Sequence, residues 1–294
     1  MKRSILLLSL IGLSATLVQR PALAAPAGPG GAAAVAYVGQ SSTGTDLYVE
    51  DGTGPVNLTN SPAVPEKSPV FSPDGTRIAF AVGGSGIWVV DADGTDPVRL
   101  TTDGTDSWPT WSPDGARLAF SRKGTNFDLW KIGADGSGEA PLLEGSLDDV
   151  FPDWSPTGNE IFFAAVPAGI FSIAPDGSNL IQHRGYRNHV DFDYSPDATQ
   201  IVEGKGDESG GGDLNIAIRD AAPGGFDTEL TTYPGTDRHP AWSPNGSLIA
   251  FTRILAGGNA VIFVMRSDGS GQRPITPRST DLLESDPTWQ PLPA

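Results

Sequence analysis

Six residues ahead of six recurring anchor positions stand Glu66, Asp106, Asp149, His189, Asp237 and Glu284. Five of the six are carboxylates. Gathered around one opening between low-dielectric walls, they would focus negative potential and draw a cation or a basic peptide. Oxygen ligands of this type suit Ca²⁺, which makes calcium at this ring the one cofactor candidate. The same acids could instead each hydrogen-bond a neighbouring turn, a local role that repeats because the unit repeats.

Four residues ahead of the anchors stand Ser68, Trp108, Phe151, Asp191, His239 and Asp286. Alternate residues of a strand share a face, so these are expected on the same face as the acids. Unlike the acids they vary in type. Variation at a repeated position is where a repeat protein can encode specificity, and Trp108, Phe151 and His239 would supply aromatic anchors for a partner.

Signals of catalysis are sparse. The histidines are His183, His189 and His239, too few for a catalytic metal cluster, although His189 and His239 could approach across neighbouring units. No Gly-x-Ser-x-Gly elbow and no phosphate-cradling loop is present. The run from Gly204 to Asp213, with Asp207 and Glu208, imitates a metal loop but reads more simply as a long hairpin connection. A binding module without catalysis is therefore expected. A carbohydrate-active enzyme using Asp191, His239 and Asp286 is the alternative.

The anchors themselves say what positions these residues. Pro69-Val70-Phe71-Ser72-Pro73-Asp74-Gly75 is followed by Arg77-Ile78-Ala79-Phe80, and Pro109-Thr110-Trp111-Ser112-Pro113-Asp114-Gly115 by Arg117-Leu118-Ala119-Phe120. Each copy reads as a strand, a tight turn and a second strand, with proline and then Asp-Gly supplying the turn geometry. The anchors recur at Ser72, Ser112, Ser155, Ser195, Ser243 and Gln290, at intervals of 40, 43, 40, 48 and 47 residues. A second pattern, apolar strand then Asp-Gly then short strand, falls between them, as in Gly86 to Val90 leading through Asp93-Gly94 to Val98. Four strands per period of this size mark a six-bladed β-propeller, an all-β fold with four-stranded blades.

The chain begins on a second strand, Val35 to Val38, and finishes on an anchor, Asp286 to Pro291, so a composite blade is expected to close the ring. Proline inside the first strand (Pro69, Pro109, Pro152, Pro240, Pro287) belongs at a sheet edge, which makes that strand the innermost. The aromatic before each anchor (Phe71, Trp111, Trp154, Tyr194, Trp242, Trp289) is expected to pack between blades.

These motifs resemble the TolB-like, WD-like propeller repeat, whose pattern runs Pro-x-Trp-Ser-Pro-Asp-Gly-x-x-Ile-Ala-Phe. The likeness spans residues 33–291. Its fourth copy is degenerate, with Phe192 for proline and Asp197-Ala198 for Asp-Gly. The resemblance implies the fold, and for family members periplasmic binding of an envelope lipoprotein over the propeller. The α/β domain that precedes such propellers is not expected here. Oligogalacturonate lyases and the non-catalytic propellers of some serine peptidases look similar.

Composition bounds the rest. The 294 residues contain no cysteine, 37 glycines and 26 prolines, consistent with turn-rich β structure stabilised by packing. Lys2 and Arg3, the apolar run Ile5 to Val18 and Ala22-Leu23-Ala24 read as a signal peptide over residues 1–24, with a flexible leader at 25–32 and the propeller over 33–294. Removing the signal deletes three cations and no acid, taking the net charge from −16 to −19. An acidic exported domain excludes nucleic acid and anionic lipid as partners, and no other stretch is apolar enough to span a membrane. A periplasmic or secreted monomer is expected, with a protein partner of the envelope or extracellular space that presents basic surface.

Overall fold

The computed structural model describes residues 33–42, 44–61, 64–185, 189–206, 213–222, 224, 227–276 and 283–291, the side chains of His189 and Val190 excepted. The expected signal peptide and leader lie outside these. Twenty-four strands form six four-stranded antiparallel sheets, and no helix occurs among the described residues.

The first blade joins the two ends of the chain: Leu283–Trp289 pairs with Val35–Ser41, followed by Gly44–Glu50 and Val56–Asn57. The other five are each continuous in sequence, and their innermost strands are Glu66–Phe71, Ser107–Trp111, Asp148–Trp154, His189–Tyr194 and Asp237–Trp242. Every inner strand touches the inner strands of both neighbours, so the six form a closed ring around a central channel. The prolines sit on these strands because an innermost edge has no ladder partner on one side.

Four of the six anchors, Ser72, Ser112, Ser195 and Ser243, close their turns with the same bonds. Ser72 Oγ donates to Asp74 Oδ1 at 2.6 Å and accepts the Arg77 N–H at 3.0 Å, while the Gly75 N–H reaches Ser72 O at 2.8 Å. Gly75 adopts φ +68°, the left-handed region that favours glycine. The core lies between blades. Trp111 packs with Ile87 and Val89 of the second blade and with Leu118 and Phe120 of the third. All six aromatics before the anchors are only 5–6% exposed, as expected for inter-blade packing. Arg77 and Arg117 cover the Trp111 and Trp154 rings at 4.9 and 5.3 Å.

Candidate functional site

Every inner strand carries one extra residue relative to its partner. In the second blade Lys67 pairs with Ala81 and Val70 with Ala79, so three steps oppose two, and the other five inner strands repeat this bulge. At its centre Ser68, Trp108, Phe151, His239 and Asp286 adopt φ between +50° and +55°. Each is followed by proline. The missing N–H leaves a ladder position open, and the left-handed residue turns its side chain to the other face.

This corrects one expectation. The acids six before the anchors and the residues four before them do not share a face, because the bulge breaks the two-residue alternation. The two sets point to different places.

The set four before the anchors falls into two unlike halves. In the ionic half His239 Nδ1 lies 2.9 Å from Asp286 Oδ1 and 3.1 Å from Asp191 Oδ2. The Ser68 N–H donates to Asp286 Oδ2 at 3.3 Å. Burial works against charge on His239, but Asp286 and then Asp191 outweigh it and push its pKa up to about 10. Burial likewise opposes charge on Asp286, and His239 more than offsets it, holding that carboxyl below its ordinary range. In the aromatic half the Trp108 and Phe151 rings stand 4.5 Å apart, with Phe127 5.2 Å from Trp108.

The acids are dispersed instead of gathered. Glu66, Asp106, Asp149, Asp237 and Glu284 are 0–3% exposed, each at its own blade junction. Glu66 accepts from Leu47 N–H, Thr59 Oγ1 and Ser61 Oγ of the preceding blade, at 3.1, 2.6 and 2.6 Å. Glu284 accepts from Thr276 Oγ1 and from Ile262 N–H at 3.3 Å. Asp106 and Asp237 take bidentate guanidinium bonds from Arg122 and Arg253. Asp149 has Asp128 and Asp148 beside it. Burial pushes Glu66, Asp149 and Glu284 up to about 7. Among the described residues no three histidine or acidic side chains converge to hold a metal ion, so these acids do not fit the calcium candidate. His189's side chain and the 207–212 tip of the Gly204–Asp213 connection lie outside the described residues; the strands flanking that tip pair Gly206 with Leu214, as a hairpin does.

Two sets of residues escaped the sequence reading. Thr59, Thr101, Thr231 and Thr276 each accept a third-strand N–H, from Leu47, Ile87, Ile216 and Ile262, and Thr59 and Thr276 pass the contact on to the next blade's acid. Their signal is the Leu-Thr or Ile-Thr that ends four of the six second patterns. Two before the anchors, Thr110, Asp153 and Asp193 accept the N–H of Trp154, Tyr194 and Trp242 in the following blade. These side chains satisfy inner-strand donors that have no ladder partner. Burial and mutual repulsion raise the Asp153 pKa.

A closed ring of six four-stranded blades, each inner strand bulged at the same place, defines a β-propeller. The chain belongs to the TolB beta propeller domain family, whose pattern matches residues 15–180 and 102–293. Over 82 residues it is 39% identical to Tol-Pal system protein TolB 1 of Novosphingobium aromaticivorans, which is 28% of this chain and 17% of that relative. The matched stretch thus spans less than a fifth of that relative's length. The crystal structure of TolB from Acinetobacter baumannii superposes with a TM-score of 0.74 at 20% identity, over 88% of this chain and 67% of that one. An oligogalacturonate lyase in complex with manganese gives 0.58 at 15% identity, over 83% and 74%. At such identities both speak to the fold alone.

Proposed function

We propose that this propeller is an exported, non-catalytic interaction module of the cell envelope, receiving a protein partner at the channel mouth. The observation that carries this reading is the repeated bulge. A left-handed non-glycine residue costs about 1–2 kcal/mol, and five blades retain one at the same place, each bearing a different side chain. Strain of this kind is kept where a side chain must be aimed. Export follows from residues 1–24, and an envelope role from the Tol-Pal system relatives. The net charge of −16 suits a partner with basic surface and speeds its encounter.

The lyase-like alternative needs a free base at the mouth. His239, protonated between two carboxylates, has no lone pair to accept a proton at neutral pH. The net charge of −16 would also repel an acidic polysaccharide.

A photoreactive residue at position 108 should crosslink one envelope protein, and position 151 the same one. Position 114, on the anchor turns at the other end of the inner strands, should not. The crosslink should vanish when His239 is changed to alanine. Equal capture from 108 and 114, or none from 108, overturns the reading.

A further inference from the structure

The ionic half of the mouth is one donor short. Asp191 is 7% exposed, and neither of its buried carboxylate oxygens accepts a hydrogen bond. The cation beside it is His239, whose Nδ1 lies 3.1 Å away, yet that nitrogen is nearer to Asp286, at 2.9 Å. It carries a single hydrogen, which cannot serve both carboxylates. Asp286 also receives the Ser68 N–H and feels the charge of Arg238. Asp191 is left with a share of one proton and no donor of its own, a deficit that an incoming donor would relieve.

The surroundings define that donor. A hard divalent ion needs six or more oxygen ligands, and the three side chains that meet here offer two carboxylates already facing the His239 cation, a set that does not hold a metal ion. The neighbouring blade presents Phe151, its ring tilted against Trp108 at 4.5 Å, and aromatic faces attract ammonium and guanidinium groups. Building on the channel-mouth reading above, we infer that the mouth takes one protonated side chain of the partner, a lysine ammonium or an arginine guanidinium. That group donates to Asp191 and lies against Phe151 and Trp108.

The test uses the full chain and short labelled peptides that differ only at a central lysine, arginine or norleucine. The cationic peptides should bind about tenfold or more tightly than the norleucine peptide, a margin within reach of one charge-assisted bond and one cation–π contact. Asp191→Asn should erase the preference; it also removes one of the two carboxylates beside His239, so its melting temperature falls while the chain stays folded at the temperature of the binding assay. Trp108→Ala should weaken the cationic peptides. Equal affinity for norleucine, binding of no peptide, or selectivity retained in Asp191→Asn each overturns the cation site. If position 108 still crosslinks its envelope partner while the peptides show no preference, the cation site alone falls and the interaction module stands.

Discussion

Proline does two things at once on the inner strands: it removes an N–H that would have no partner, and it marks the residue before it as the one that turns left-handed. That residue bears the site, so site and strain coincide. Ser68→Gly should therefore stabilise the fold by roughly 0.5–1 kcal/mol, the left-handed cost less the entropy glycine adds to the unfolded chain. Ala198 is a second case, at φ +58° where the other anchor turns hold Gly75, Gly115, Gly158 and Gly246, and Ala198→Gly should gain a similar amount. Gly75→Ala runs the other way: besides its φ of +68°, a Cβ there would stand 3.1 Å from Pro291 O at the seam where the ring closes. Urea unfolding of the three variants checks the signs together. A destabilised Ser68→Gly would mean that the left-handed backbone is not strained.

Between strands, the struts are ionic where the sequence allowed them. Arg253, on the second strand of the sixth blade, holds Asp237 at the start of the first with two bonds of 2.7 Å, and both side chains are nearly inaccessible. Asp237→Ala should cost about 3–5 kcal/mol, because it strands a buried guanidinium. Changing Arg253 to methionine as well should restore most of that loss, and a double variant as unstable as the single one would refute the strut. The arrangement also shows what could be read in advance. Ser-Pro-Asp-Gly at steady intervals gave blade number, closure and innermost strand, because turn chemistry and proline tolerance are local rules. The faces were not legible, since one inserted residue per inner strand reverses the alternation, and only proline's second habitat, the bulge, hinted at it. Choosing the edge and not also the bulge placed Glu66 beside Ser68. In the structure Glu66 enters a blade junction, while the Ser68 N–H meets Asp286 of the first blade's inner strand. The partners of the acids were hidden too, because Thr59 and Thr276 reach them only through a contact between blades.

Over the whole molecule, buried acids and one buried histidine set the pH dependence in a common direction. Glu66, Asp149 and Glu284 titrate near 7 when folded and near 4 when unfolded, so the folded state holds their protons longer. Their stabilisation is complete below the unfolded value and is lost as pH rises through about 7. His239 continues the trend, contributing fully below about 6.5 and nothing once pH passes about 10. Deprotonation also carries the chain toward its full formal charge of −16 and so adds to its self-repulsion. On the acid side, Arg184 outweighs burial to hold Asp227 at about 2, so that pair is lost only as pH falls below 4, and His183, lowered by burial, resists charging below 6.5. The melting temperature should therefore peak near pH 5 and fall steadily toward pH 10, and calorimetry across that range measures it. Glu66→Gln with Glu284→Gln should flatten the limb between pH 5 and 7, while His239→Gln flattens the limb above 7. A maximum at pH 8, or limbs unchanged in both variants, would show that these groups are solvated in the folded ring. The junctions between blades would then be wetter than 0–3% exposure implies.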